Sequence, residues 1–232
     1  MNLWPQAVLF DFDGVLVNSE PLHFAAFHEV LKAEGIDLTE QQYYRQLLGF
    51  DDRGGFQHVL AIHGRQPDPD TVRRLMSRKE HAMQQLIHDR KYQALPGVDQ
   101  FVRALSRSYP LAICSGALRR EIEMMLEGVN LRDCFPVIVS AEDVQVGKPD
   151  PRGYLLTLQQ LSEYTGRTLS PDQCLVVEDA PSVIRSVRNV GFSVLAVATS
   201  HPLTELSEAN WAVNALQGDE VRKLLPQLRL SA

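Results

Sequence analysis

Short apolar runs alternate with segments of helical periodicity over the second part of the chain. Leu111 to Cys114, Val137 to Val139 and Cys174 to Val177 have the length and continuous apolar character of strands buried on both faces. The segments between such runs have the apolar spacing of amphipathic helices. This alternation predicts a parallel sheet with helical crossovers, which is a doubly wound α/β fold. The pattern also predicts helices over 98–108, 118–127, 152–163 and 181–190, and a strand over 193–198.

A block of helices interrupts this α/β pattern after its first strand. The first strand is the apolar run from Ala7 to Phe10, whereas residues 18–92 carry only helical periodicity and loop signals. We therefore predict an α/β core made of residues 1–17 and 93–232, with an all-helical cap inserted at 18–92. Within the cap we expect helices over 21–34, 39–48 and 70–90, a helix around Phe56 to His63, a glycine-rich loop over 49–55 and a connector over 66–70.

Two carboxylates follow the first strand directly. Asp11 ends the apolar run and Asp13 lies two residues later, so in extended chain both side chains project to the same side. Gly14 then allows the backbone to turn. Open α/β sheets bind ligands at the carboxyl ends of their strands, and buried like charges need a cation. Taken alone, this Asp-x-Asp-Gly segment also suits a surface turn, while the residues after it lack the spacing of an EF-hand loop.

Other polar groups follow the later strands. Ser115 and Gly116 come after the second predicted strand, Lys148 after the third, and Glu178 and Asp179 after the fourth. Each has a simpler interpretation, since serine and acidic residues cap helices and most lysines lie on the surface. In a parallel sheet, however, all of them converge on one edge. Acids, a lysine, a hydroxyl and free amides at one edge match the needs of phosphoryl transfer.

These segments resemble the four motifs of the haloacid dehalogenase superfamily in order and approximate spacing. They read Asp-Phe-Asp-Gly-Val-Leu-Val-Asn-Ser, Cys-Ser-Gly, Gly-Lys-Pro-Asp-Pro and Glu-Asp. The resemblance covers nearly the whole chain and implies a Rossmann-like core. The helical insert is similar to the small cap of the branch that contains β-phosphoglucomutase and phosphoglycolate phosphatase.

The resemblance also implies a role for each residue of the predicted core edge. Asp11 would be the nucleophile that forms an aspartyl-phosphate, and Asp13 would protonate the leaving oxygen and then activate water. Lys148 would tie the nucleophile to the phosphoryl group. The phosphate would be bound by Gly14, Ser115 and Gly116, and Mg²⁺ would be held by Asp11, the carbonyl of Asp13 and Asp179, with Glu178 close by or behind a water.

The chain departs from the family pattern at the fourth motif. That motif usually continues with serine after the two acids and has a glycine further on. Here Ala180 and Val183 occupy these positions, so a hydroxyl is missing near the metal and bulk is added where a helix packs on a strand. Asn18 also stands where a second aspartate is common, which should matter little for the metal.

Three cap residues are candidates for substrate selection. Lys79 lies on the apolar stripe of its helix, so it either extends along the stripe's edge to water or crosses the domain interface to meet the substrate. Arg53 precedes Phe56 by three residues, so we expect it on the inner face of its helix. There it either contacts the substrate or does not. His23, near the start of the cap, either packs or takes part in the proton relay.

Composition narrows the partners and the compartment. The formal net charge is −6 with both signs interspersed, which argues against nucleic acid or an anionic membrane as a partner. The 232 residues suit one domain with a smaller insert, and we see neither a bilayer-spanning run nor a signal peptide. Cys114, Cys134 and Cys174 do not form an even set, and two lie in apolar runs. We therefore expect free thiols and a cytoplasmic enzyme.

The function that these features favour is that of an Mg²⁺-dependent phosphatase acting on small phosphorylated metabolites. A phosphohexomutase of the β-phosphoglucomutase kind is the main alternative, because it would use Asp11 and Asp13 in the same way. A dehalogenase is disfavoured, because its chemistry needs neither Asp13 nor a metal. The complete set of acids argues against a non-catalytic protein that binds a phosphorylated metabolite. A nucleotide-binding module is disfavoured by the absence of the glycine-rich fingerprints. Monomer and homodimer both stay open.

Overall fold

The computed structural model describes residues 4–47 and 50–230, which form two compact units. The α/β unit comprises the described residues up to Asn18 and those from Gln93 onward. The helical unit comprises the described residues of Ser19–Tyr92. The strands are β1 (Ala7–Phe10), β2 (Leu111–Cys114), β3 (Val137–Val139), β4 (Cys174–Glu178), β5 (Ser193–Val197) and β6 (Trp211–Val213). The α-helices are α1 (Glu20–Ala33), α2 (Glu40–Gln46), α3 (Asp52–Ile62), α4 (Pro69–His88), α5 (Val98–Ser106), α6 (Arg119–Gly128), α7 (Arg152–Thr165), α8 (Pro181–Asn189) and α9 (Gly218–Leu224).

The strands form one sheet whose order in the described residues is β3-β2-β1-β4-β5-β6. Every pairing is parallel, and Leu9 in the centre is in register with Ala112 on one side and Val176 on the other. The chain runs outward in one direction from β1 and then in the other from β4. The predicted doubly wound α/β fold is therefore confirmed, and its topological switch point lies between β1 and β4, where such sheets bind ligands.

Helices cover the sheet because its strands are apolar on both faces. All four residues of β1 have 0% exposure. On one face, α7 contributes Tyr154, Leu158 and Leu161 to the apolar core. Val183 of α8 is also buried in this core, so the bulk that it adds to the family pattern is accommodated by packing.

The helical unit has an apolar core of its own. Phe27 of α1 packs on Phe56 of α3, with 4.6 Å between the ring centroids, and Val72 and Leu75 of α4 join the same cluster. The side chains of Thr39, Asp51 and Asp68 accept hydrogen bonds from backbone N–H groups at the starts of α2, α3 and α4. Such caps satisfy amides that have no partner within a helix.

Several predicted boundaries were wrong. The glycine-rich segment predicted as a loop over 49–55 is helical from Asp52, because the carboxylate of Asp51 caps the N–H of Gly54 at 2.7 Å. Gly49, and the predicted helix end at Leu48, lie outside the described residues. Strand β6 and helix α9 were not predicted, since three and seven residues carry little periodicity.

Among the described residues, no helix combines the length and the apolarity that crossing a membrane requires.

Candidate active site

Four neighbouring strands carry the predicted site residues at their carboxyl ends. Because the strands are parallel, these ends lie along one edge of the sheet, and the structure brings the side chains together there. The residues are Asp11 and Asp13 after β1, Ser115 and Gly116 after β2, Lys148 in the segment after β3, and Glu178 and Asp179 at the end of β4.

Asp11 is held in place by the sheet and by a tight turn. Its backbone N–H donates to the carbonyl of Val177 at 2.9 Å and so extends the ladder between β1 and β4 by one residue. The chain then turns, with the N–H of Leu16 bonded to the carbonyl of Phe12 at 2.9 Å. Gly14 has a φ of +74°, a conformation that favours glycine. The nucleophile candidate thus lies where a rigid strand meets a defined turn.

Lys148 joins two of the acids. Its Nζ lies 2.6 Å from Oδ1 of Asp11 and 2.8 Å from Oε1 of Glu178, and only 17% of its side chain is exposed. Burial lowers the pKa of Lys148, but the charges of Asp11 and Glu178 outweigh this effect and raise it above its ordinary value. Burial raises the pKa of Asp11 well above its ordinary value, against the attraction of Lys148. The interpretation of Lys148 as a solvated surface lysine is therefore wrong.

Glu178 is fully buried and accepts four hydrogen bonds. Oε1 accepts from Nζ of Lys148 and from the hydroxyl of Tyr154, the latter at 3.2 Å. Oε2 accepts from the backbone N–H groups of Asp179 and Ala180, both at 2.8 Å. One carboxylate therefore shapes the chain after β4 and connects it to Lys148.

Three acids are close enough to hold a metal ion. Asp11, Glu178 and Asp179 are all buried and each offers a carboxylate oxygen, with these oxygens within 4.8 Å of one another. Burial, followed by the charge of Glu178, raises the pKa of Asp179 to about 7, while a hydrogen bond from Ser200 opposes this rise. Oxygen ligands of this kind suit hard divalent cations. The carboxylate of Asp13, whose carbonyl is the implied ligand, is not one of the three.

Ser115 and Gly116 begin the loop after β2. The Oγ of Ser115 accepts a hydrogen bond from the N–H of Ala117 at 3.0 Å and donates to Oδ2 of Asp13 at 3.4 Å. Ser115 does not cap the following helix, because α6 begins only at Arg119. Gly116 is exposed, and a Cβ built on it would meet open space. The loop therefore combines open space at Gly116 with a hydroxyl that contacts Asp13.

In the helical unit, Lys79 is buried rather than extended to water. It is 1% exposed, forms an ion pair with Asp52 and lies 3.0 Å from Nδ1 of His23 and 4.6 Å from the centre of the Phe27 ring. The interpretation of Lys79 as a lysine that reaches water along the stripe's edge is therefore wrong. Burial, followed by the charge of Lys79, lowers the pKa of His23 well below its ordinary value.

Arg53 lies in the first turn of α3 and not in the predicted loop, and it is exposed rather than buried with Phe56 on the inner face of the helix. Whether Arg53, Lys79 and His23 contact a substrate stays a prediction.

Tyr154 and Asp52 are among the residues of these clusters that sequence reasoning missed. Tyr154 has 0% exposure, and its hydroxyl lies 3.3 Å from Nζ of Lys148 as well as near Glu178. It precedes Leu158 and Leu161 at helical spacing, so the pattern could have placed it on the inner face of α7. Asp52 precedes Phe56 by one helical turn and could have been placed in the same way, had the start of α3 been predicted.

Known proteins resemble this chain in sequence and in fold. A family model described as haloacid dehalogenase-like hydrolase matches residues 8–197. A phosphorylated carbohydrates phosphatase from Thermotoga maritima is 28% identical, over 96% of this chain and 99% of that protein. A β-phosphoglucomutase from Bacillus subtilis is 26% identical, over 85% of each chain. The crystal structure of CbbY from Rhodobacter sphaeroides in complex with phosphate superposes with a TM-score of 0.80 at 21% identity, covering 92% of this chain and 95% of that one. At this identity, the similarity to CbbY is one of fold alone.

Proposed function

Because this chain belongs to the haloacid dehalogenase-like hydrolases, we propose that it is an Mg²⁺-dependent phosphatase that hydrolyses small phosphorylated metabolites through an aspartyl-phosphate on Asp11. The substrate class takes its support from relatives such as the Thermotoga maritima phosphorylated carbohydrates phosphatase. The observation that carries the proposal is the placement of Lys148, whose Nζ lies 2.6 Å from Asp11 inside a buried group of acids.

Formation of the covalent intermediate needs a nucleophile and an acid. An oxygen of Asp11 forms a bond to phosphorus as the bond between phosphorus and the ester oxygen breaks, and Asp13 gives its proton to that departing oxygen. Lys148, already paired with Asp11, offsets the negative charge that the phosphoryl group brings. The Ser115 hydroxyl and the amides around Gly116 hold phosphoryl oxygens.

Hydrolysis of the intermediate reuses the same two aspartates. Asp13 takes a proton from a water molecule as that water attacks phosphorus, and the bond to Asp11 breaks. Inorganic phosphate leaves, and both side chains return to their starting protonation states. The turn from Phe12 to Val17 holds Asp13 close to Asp11 throughout both steps.

The buried acids fit a divalent cation. Asp11, Glu178 and Asp179 place carboxylate oxygens within 4.8 Å of one another beside Lys148, and three buried acids next to one paired lysine are costly without a further positive charge. We assign Mg²⁺ to Asp11, Asp179 and the carbonyl of Asp13, with Glu178 next to it. When bound, Mg²⁺ would stabilise negative charge on the phosphoryl oxygens.

A mutase is the second candidate, because a β-phosphoglucomutase is among the relatives. The two functions differ in whether water or a sugar hydroxyl receives the phosphoryl group. We propose that the helical unit selects the substrate and that hydrolysis dominates.

The test is a panel of phosphorylated sugars, phosphoglycolate and nucleotides incubated with Mg²⁺, scored for free phosphate and for isomerised product. We expect phosphate release from at least one sugar phosphate, and none after exhaustive chelation. Faster conversion of β-glucose 1-phosphate to glucose 6-phosphate than phosphate release would establish the mutase instead. Turnover of no phosphate ester would contradict both.

A further inference from the structure

Ser200 lies at the same edge of the sheet as the candidate active site and was not among the predicted residues. It follows β5 by three residues, and its Oγ donates a hydrogen bond to Oδ2 of Asp179 at 2.5 Å. Ser200 is exposed, whereas Asp179 is only 5% exposed. A surface side chain from one strand end thus holds one oxygen of a buried acid from the neighbouring strand end.

The backbone at Gly14 leaves the space in which these two side chains meet. A Cβ built on Gly14 would overlap Oδ2 of Asp179 and lie 3.0 Å from Oγ of Ser200. Three segments, after β1, β4 and β5, therefore converge on a single carboxylate oxygen. Asp179 therefore lies against the backbone of Gly14, which has no side chain, and accepts a hydrogen bond from the hydroxyl of Ser200.

The residue next to Asp179 provides no such hydroxyl. Ala180 occupies the position where the family pattern described above has serine, and the hydrogen bond of its backbone N–H goes to Glu178. The hydroxyl that contacts Asp179 in this chain comes from Ser200, 21 residues further along. The methyl side chain of Ala180 cannot donate a hydrogen bond to Asp179, whereas Ser200 does.

We propose that Ser200 is a positioning residue for Asp179 in the metal site. This inference rests on the proposed function, in which Asp179 holds Mg²⁺. A hydrogen bond to one oxygen limits rotation of the carboxylate about its Cβ–Cγ bond, so the group meets the cation already oriented. Removing an outer partner of this kind typically weakens metal affinity by about 10–100-fold.

The experiment measures Mg²⁺ binding to the metal-free protein by calorimetry, for the wild type, Ser200→Ala, Ser200→Thr and a matched control, Thr199→Ala. Thr199 is the preceding exposed hydroxyl residue. We expect Ser200→Ala to raise the Kd for Mg²⁺ about tenfold or more. Ser200→Thr keeps a hydroxyl and should stay within about threefold, and Thr199→Ala should match the wild type. Because Ser200→Ala removes one hydrogen bond from buried Asp179, the melting temperature without Mg²⁺ should fall by only about 2–4 °C.

The kinetic readout separates positioning from other roles. The Mg²⁺ concentration for half-maximal phosphatase activity should rise in Ser200→Ala, while kcat at saturating Mg²⁺ returns close to the wild-type value. An unchanged Kd in Ser200→Ala would overturn this inference and leave the proposed function intact. A rise in Kd that Ser200→Thr shares with Ser200→Ala would show that the hydroxyl is not responsible and would also overturn it. A wild type that binds no Mg²⁺ would instead refute the metal assignment, and this inference with it.

Discussion

Single residues after β1 and β3 and at the end of β4 determine the charge of the candidate active site. Lys148 is paired with both Asp11 and Glu178, so the loss of one acid leaves it with the other. One carboxylate can therefore be removed without leaving the buried lysine unpaired, so such a change should affect catalysis more than the stability of the fold.

Asp11→Asn tests the proposed nucleophile. The change removes the attacking carboxylate but keeps its shape, and Lys148 retains Glu178 at 2.8 Å. We expect phosphate release to fall by more than about a thousandfold, with an unchanged melting temperature. Mass spectrometry should find a phosphorylated protein during turnover of the wild type only. More than a few per cent of residual activity would rule out the aspartyl-phosphate.

The raised pKa of Asp179 predicts how Mg²⁺ binding depends on pH. A metal ligand must be deprotonated, so below about pH 7 Mg²⁺ has to displace the proton of Asp179. We expect the Kd to increase about tenfold per pH unit below pH 7 for each proton displaced, and to level off above it. Calorimetric titrations between pH 5.5 and 8.5 would measure this, and a Kd that is the same throughout would contradict the prediction.

The raised pKa of Asp179 also makes the stability of the metal-free protein depend on pH. The folded-state value of about 7 lies above the ordinary value of 3.8. Folded protein therefore keeps the proton over a range in which unfolded protein has released it. The contribution of Asp179 to stability accordingly decreases as the pH rises from roughly 4 to roughly 7.

At the scale of elements, α3 and α4 are joined through an ion pair whose lysine is buried. Asp52 lies in the first turn of α3, where an acidic side chain is favoured by the helix dipole, and it meets Lys79 from the middle of α4. The Lys79 side chain is 1% exposed and that of Asp52 is 38% exposed. Loss of Asp52 would therefore leave a buried charge without its ion-pair partner, whereas loss of Lys79 would leave Asp52 in contact with water.

Asp52→Asn should weaken this connection. Because the change leaves Lys79 buried beside a neutral group, we expect it to destabilise the helical unit by about 1–3 kcal/mol, less than for a fully buried pair. Hydrogen exchange of the α3 and α4 amides would show faster opening. Asp70→Asn is the control, since Asp70 and its partner Arg73 are both well exposed, and it should change little. Equal exchange in both variants would contradict the assignment.

At the scale of the whole molecule, the residues assigned to chemistry all belong to the α/β unit, whereas the candidates for substrate choice belong to the helical unit. Arg53 is the better candidate for a substrate contact, because it is exposed while Lys79 is already paired. This division predicts that changes in the helical unit alter specificity more than the chemical step.

Arg53→Ala tests that division. We expect KM for a sugar phosphate to rise about tenfold, as for the loss of one charged contact, with turnover of a small generic phosphate ester within about twofold of the wild type. Arg45→Ala, an exposed arginine of α2, provides the control. Loss of activity toward the generic ester would assign Arg53 to the chemistry, and an unchanged KM would exclude it from substrate choice.

The sequence by itself determined five strands of the sheet, their burial and the edge at which the acids gather. Continuous apolar runs mark buried strands, and parallel strands bring their carboxyl ends together, so Asp11, Ser115, Lys148 and Glu178 were predicted to meet without a structure. Only the tertiary structure decided which groups complete the clusters. The hydroxyl of Tyr154 on Glu178, the pairing of Asp52 with Lys79 and the contact of Ser200 with Asp179 join residues 21 to 27 positions apart. Periodicity describes which face a residue occupies within its own element. The partner it meets depends on how that element packs against another, and no local pattern encodes this.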